Sequence, residues 1–280
     1  MLRIAPLAAL AGAIALLAAS AQAADTRRSD LSFSSQALGG RLHYEVYLPA
    51  DYATSERHYP VVYFLHGLPA TPTTYRSMRY IERALDQEGR PAILVLPQGA
   101  RAGERDPEYL DRGPQDDWDR ALTQELPRIV DARFRTIADR EGRALVGLSA
   151  GGYGAMHLAL GHLDEFAAVE SWSGYFHPTN PAGTRRLELG SAAKDARADV
   201  HRQLAVERTR LHARPLFIAF YVGRSDRRFR QANVQLDREL RRTHVAHLFR
   251  LFDGGHTQQL WDAHAERWLG LALDHLAAAH

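Results

Sequence analysis

The sequence predicts an α/β protein: a mostly parallel sheet with helices on both faces and an antiparallel edge at its N-terminal side. Three observations carry that expectation. Apolar runs without polar alternation recur at 60–65, 92–96, 143–148, 167–172, 215–222 and 246–252. This is the pattern of strands buried on both faces. Between them lie segments whose apolar residues repeat at helical spacing, as in amphipathic helices that cover a sheet. The first two strand-like stretches, 31–37 and 42–48, differ. The second alternates at Leu42, Tyr44, Val46 and Leu48, and the Gly39-Gly40 pair between them is a hairpin signal.

Composition bounds the possibilities. The chain has 280 residues, 45% hydrophobic and 24% charged, ordinary for a globular domain. There are no cysteines, which excludes disulfides, a thiol nucleophile and thiolate metal sites. The formal charge is +2, and Lys194 is the sole lysine. The arginines are scattered among Asp and Glu, so no nucleic-acid footprint is expected. Arg3 precedes an apolar run from Ile4 to Ala19, followed by Ala21-Gln22-Ala23. That order reads as a signal peptide over residues 1–23, cleaved after Ala23. The run is shorter than the roughly 20 residues a spanning helix needs. The expectation is therefore an exported protein, periplasmic or extracellular, with no stable membrane anchor after cleavage. Residues 24–280 then form a single domain.

Taken in order, the elements justify themselves locally. A helix is expected over 75–87, with Met78, Ile81, Ala84 and Leu85 on one face. The stretch 97–115 is long, polar and rich in Gly and Pro, and reads as a loop near the working face. Asp117 is placed to cap the next helix. With Asp116 and Trp118 it could instead border a cleft. Trp118, Leu122, Ile129 and Val130 line that helix, and Pro127 should bend it. A further helix is expected over 152–163. The segment 173–212 is broken by Pro178, Pro181, Gly183 and Gly190 and then turns charged, which reads as a lid-like insertion carrying one helix at 193–207. Helices at 227–242 and 258–277 complete the chain, the last with Trp261, Ala265, Trp268 and Ala272 on one face.

The stretch 145–152, Leu-Val-Gly-Leu-Ser-Ala-Gly-Gly, stands out. An apolar strand ends in Gly-x-Ser-x-Gly and a helix follows, which reads as a nucleophile elbow exposing Ser149. A serine hydroxyl needs a base, and the base needs an anion to fix its tautomer. The later strands supply both. Gly223-Arg224-Ser225-Asp226 follows one, and Asp253-Gly254-Gly255-His256 follows another. Asp226 is preferred to Asp253, which is too near His256 along the chain to lie beneath its ring. The candidate catalytic residues are thus Ser149, Asp226 and His256. A developing oxyanion needs donors. The Ala150 N–H is one, directly after the nucleophile. The Leu68 N–H, in the turn His66-Gly67-Leu68 after the strand 60–65, is the favoured second. Trp172, Tyr175 and Phe176, at the start of the insertion, are candidates for lining a substrate pocket. No metal ligands or cofactor motif appear.

These pieces resemble the esterase D-like family of α/β-hydrolases, which includes S-formylglutathione hydrolases, feruloyl esterases and the antigen 85 mycolyltransferases. The resemblance is carried by Tyr63-Phe64-Leu65-His66-Gly67, Glu125-Leu126-Pro127, 146–154 (Val-Gly-Leu-Ser-Ala-Gly-Gly-Tyr-Gly), Ser171-Trp172-Ser173-Gly174, Gly223-Arg224-Ser225-Asp226 and Gly254-Gly255-His256. It implies the α/β-hydrolase fold and a serine carboxylesterase acting through an acyl-enzyme, and says little about whether the ester is a small molecule, a glycan or a lipid. The formylglutathione hydrolases are cytosolic, whereas the leader pattern here points to export, which weakens the likeness to that subgroup. One departure is Ala150, where relatives often carry Met; only the backbone N–H matters there. The alternative activity is acyl transfer of the antigen 85 type with the same residues. A binding protein on an inactive scaffold is a third reading, and it would require a missing triad member.

Overall fold

The structure is a computed structural model that describes residues 26–104, 108–180 and 184–280. The leader expected at residues 1–23 lies outside the described residues.

Eight strands form one sheet in the order β1-β2-β4-β3-β5-β6-β7-β8. They are β1 (Arg28–Ser35), β2 (Gly40–Tyr47), β3 (Val61–Leu65), β4 (Ile93–Pro97), β5 (Arg143–Leu148), β6 (Ala168–Trp172), β7 (Phe217–Gly223) and β8 (Leu248–Phe252). β1 pairs antiparallel with β2, and β2 antiparallel with β4; every later pairing is parallel. The expected mixed sheet with an antiparallel N-terminal edge is what forms. Gly39, at φ 60°, makes the turn of the hairpin, a backbone region glycine enters without a Cβ clash.

The period-two geometry of the strands divides the core into two layers. Val61, Tyr63, Leu65, Val95 and Leu145 face one side, with the helical segments at 118–133, 150–161, 200–213 and 230–242. Val62, Phe64, Leu94, Val146 and Leu148 face the other, with the helices at 79–88 and 258–273. Here α1 is Arg79–Glu88, α3 is Ala150–Gly161, α4 is Ala192–Arg197, α5 is Val200–Ala213, α6 is Arg230–Arg242 and α7 is Gln258–Leu273. α2 is composite: a turn at Trp118–Arg120, a π-helical turn at Ala121–Glu125 and an α-helix at Leu126–Arg133. Pro127 lacks an N–H and its ring crowds the carbonyl four residues back. The helix answers with the wide π turn just before it. The Asp117 carboxylate accepts the Arg120 N–H at 2.9 Å and so caps the helix, Trp118 is fully buried in the core, and Asp116 pairs with Arg101 at 2.8 Å.

The segment between β6 and β7 differs from expectation. It carries two helices, α4 and α5, not one over 193–207. Asp199 separates them: its extended backbone stops α4, and its side chain caps α5 by accepting the Arg202 N–H at 3.2 Å. Val200, Leu204 and Leu211 of α5 are buried in the same core layer as α3. The Tyr153 hydroxyl donates to the Ala198 carbonyl at 2.7 Å. Among the described residues, no helix is long and apolar enough to cross a membrane.

Candidate active site

β5 runs into α3 at Ser149, and the turn is tight enough to force the sequence around it. Ser149 sits at φ 56°, ψ −115°, a strained conformation for a side-chain-bearing residue. A Cβ on Gly147 would fall 2.0 Å from the Gly151 carbonyl oxygen, and one on Gly151 would fall 1.9 Å from the Leu65 oxygen. Only glycine fits at either place. The Ser149 N–H donates to the Trp172 carbonyl at 2.8 Å, and its own carbonyl accepts the Tyr153 N–H at 3.0 Å, starting α3. The serine is thus pinned between the end of β6 and the first turn of the helix.

β7 and β8 bring the other two groups. The His256 Nε2 lies 3.0 Å from the Ser149 Oγ, and its Nδ1 lies 2.9 Å from Asp226 Oδ2. These partners assign the proton to Nδ1, leaving Nε2 to accept from the serine. Asp226 Oδ1 accepts the Arg228 and Phe229 N–H groups at 2.9 and 3.0 Å. Burial alone would raise the Asp226 pKa, but the hydrogen bond and charge of His256, with those two amides, hold it below the ordinary carboxylate range. The two loops are stitched together. The Ser225 N–H donates to the Gly254 carbonyl at 2.9 Å, and a Cβ on Gly223 would meet that same oxygen at 2.4 Å. It is Asp226 that meets the imidazole. The Asp253 side chain is 98% exposed and pairs with Arg224 at 3.3 Å.

The β3 turn lies against the elbow. A Cβ on Gly67 would stand 3.1 Å from both the Ser149 Cβ and the Leu148 oxygen. His66 orients this turn. Its ring is buried, burial drives its pKa down to about 4, and the neutral Nδ1–H donates to the Gly67 carbonyl at 2.9 Å. In a trans peptide the C=O and the next N–H point opposite ways. Holding the Gly67 carbonyl on His66 therefore turns the Leu68 N–H the other way. Neither the Leu68 nor the Ala150 N–H has a hydrogen-bond partner among the described residues. The N-terminus of α3 adds its partial positive charge at the same place. His66 thus serves the turn that carries the Leu68 N–H rather than meeting the triad itself.

The expectation that Trp172, Tyr175 and Phe176 line a substrate pocket needs correction. Trp172 is fully buried in the layer under α7, packed on Phe64 and Trp268 with ring centroids 5.3 and 5.0 Å away, and its Nε1–H donates to Glu170 at 2.8 Å. Phe176 is fully buried on the opposite layer against Phe220. Tyr175 donates to the buried Glu108 carboxylate at 2.5 Å and stacks on Tyr153. Its part in the site is indirect, since it backs Phe229, whose ring lies 4.9 Å from Tyr175 and 5.2 Å from His256. Alternation along β6 and the chain reversal after it send these side chains into the core. Among the described residues, no group of three or more His, Cys, Asp or Glu is arranged to hold a metal ion.

Comparison with known proteins places the chain in a family. The chain is similar to an esterase of Mycobacterium tuberculosis, 36% identical over 155 residues, covering 55% of this chain and 32% of that protein. It therefore spans about a third of the length of that relative. It is also similar to the S-formylglutathione hydrolase of Arabidopsis thaliana, 27% identical over 165 residues, covering 53% of this chain and 57% of the other. Among solved structures, a fluorophosphonate-binding serine hydrolase of Staphylococcus aureus shares the fold, with a TM-score of 0.73 at 22% identity, covering 88% of this chain and 98% of that one. Residues 35–266 match the family described as "Putative esterase", and the chain belongs to that esterase family of α/β-hydrolases.

Proposed function

We propose that the protein is a serine carboxylesterase working through an acyl-enzyme. The single observation that carries the reading is the continuous pair of hydrogen bonds Ser149 Oγ···His256 Nε2 and His256 Nδ1···Asp226, at 3.0 and 2.9 Å. Ser149 attacks the ester carbonyl as Nε2 takes its proton. Asp226, ionised through the neutral range, stabilises the resulting imidazolium. The Leu68 and Ala150 N–H groups receive the oxyanion. The alcohol leaves with the proton from Nε2, and water activated by the same nitrogen then releases the acid.

The leader pattern at residues 1–23 supports export as part of the same proposal, and N-terminal sequencing of the secreted protein tests it. The function is tested with Ser149→Ala. Turnover of p-nitrophenyl acetate should fall to background while the melting temperature stays near wild type; residual turnover at the wild-type rate refutes the assignment. Adding glycerol or trehalose and analysing products separates hydrolysis from acyl transfer: free acid alone supports the esterase, and an acylated alcohol as the main product replaces it with the transferase.

A further inference from the structure

We propose that Trp261, through its hydrogen bond to Ser173, is a positioning residue for the His256 imidazole, and that Trp261 and Phe229 together clamp that ring. The inference rests on the Ser149–His256–Asp226 reading above and adds what keeps the base in line.

His256 is poorly held by its own segment. It follows Gly254, at φ 125°, and Gly255, in the loop after β8. β8 is the edge strand of the sheet, and its residues are only half-buried or exposed. The two hydrogen bonds of the imidazole run through Nδ1 and Nε2. The ring itself hangs on the Cα–Cβ and Cβ–Cγ bonds. Rotation about either carries Nε2 off the serine, so something must block that rotation.

Two aromatic rings do. Phe229 packs at 5.2 Å and 67° to the imidazole, and Trp261 at 5.1 Å and 88°. Phe229 is fixed because its N–H is bound by Asp226 and its ring rests on Tyr175. Trp261 sits in the first turn of α7, and its Nε1–H donates to Ser173 Oγ at 3.0 Å. Two other buried indoles, Trp118 and Trp268, have no partner for their N–H among the described residues, so a bonded N–H is not a condition for burying tryptophan in this fold.

Ser173 directly follows Trp172, whose carbonyl holds the Ser149 N–H. Ser173 is itself held at φ 50°, and its N–H donates to the Tyr221 carbonyl at 2.7 Å. Adjacent residues at the end of β6 thus grip the nucleophile's backbone and, through Trp261, the ring of the base. The β6 terminus is the common strut that sets the Ser149–His256 distance. Misplacement by about 1 Å of a reacting group can cost on the order of a hundredfold in rate, so a smaller pivot should cost about tenfold.

The test compares wild type, Trp261→Phe, Ser173→Ala, the double variant and Ser149→Ala, reading kcat, KM and melting temperature with p-nitrophenyl acetate. Trp261→Phe keeps a ring but deletes the donor; Ser173→Ala deletes the acceptor. Each single change should lower kcat about tenfold with KM within about twofold and the melting temperature near wild type. The double variant should be no worse than the poorer single, because both remove one bond. Wild-type kcat in both singles, additive losses, or losses that track a fall in melting temperature overturn the clamp. If Ser149→Ala is dead while the singles are fully active, the clamp falls and the triad stands; if Ser149→Ala is active, the triad reading itself fails, and the clamp with it.

Discussion

Asp226→Asn is the sharpest probe of how this site works, because the exchange is nearly isosteric and its consequences can be read from three hydrogen bonds. Asp226 Oδ1 accepts from the Arg228 and Phe229 N–H groups, and Oδ2 accepts from His256 Nδ1. An asparagine keeps its carbonyl oxygen on the two amides, since those donors cannot be left unpaired in a buried place at low cost. Its NH2 group must then face Nδ1. The imidazole responds by moving its proton to Nε2, where it can no longer accept from Ser149. Loss of the correct tautomer in a triad costs on the order of 10³ to 10⁴ in kcat, roughly 4–5.5 kcal/mol of transition-state stabilisation. The backbone bonds survive, so the fold should too. The assay is kcat/KM for p-nitrophenyl acetate at neutral pH beside a thermal melt. A folded Asp226→Asn protein within tenfold of wild type would show that this carboxylate does not set the tautomer.

Other consequences follow from single contacts. Gly151→Ala should yield little soluble protein, with a stability loss on the order of 4 kcal/mol or more, because the new Cβ would sit 1.9 Å from a backbone oxygen that cannot yield; wild-type solubility and melting would contradict this. Glu170 is wholly buried, and burial pushes its pKa up to about 8 against the lowering pull of its bonds from Trp172 and Tyr221. Its folded value lies above the unfolded value of about 4.3, so its contribution is full below that pH and is lost as pH rises through about 8. Glu170→Gln should flatten the urea-unfolding free energy between those limits, where the wild-type slope approaches about 1.4 kcal/mol per pH unit; parallel curves would refute it. Phe176→Ala should cost about 3–5 kcal/mol of stability without changing the ranking of ester substrates, since the side chain is fully buried; a changed ranking at unchanged stability would return it to the pocket.

Much of the site was legible before any coordinates. Ser149, Ala150 and the glycines around them belong to one short segment whose chemistry is local: a turn too tight for a Cβ announces itself in the glycine spacing. Asp226 and His256 could be proposed because each follows an apolar run, and parallel strands deliver their C-terminal ends to one edge of the sheet. Other features were not legible. Trp172 and Phe176 read as pocket residues because aromatic residues next to a break in pattern look available for contact, yet Trp172 ends β6 facing one core layer and Phe176, beyond the strand, is folded into the other. The one expected helix over 193–207 became two because a single carboxylate, Asp199, preferred capping to continuing the turn.

The amino-acid order alone determined the alternation of strands and helices and the elbow at Ser149, and it offered Asp226 and His256 as partners, because each of these signals depends on neighbours within a few residues. Only the tertiary structure decided that Asp226 and not Asp253 meets the imidazole, that His66 turns the Leu68 amide, and that Trp261 and Phe229 pack against His256. Those relations join residues from different strands and helices. The free energy that fixes them comes from packing and hydrogen bonds between segments far apart in the chain, which no local pattern encodes.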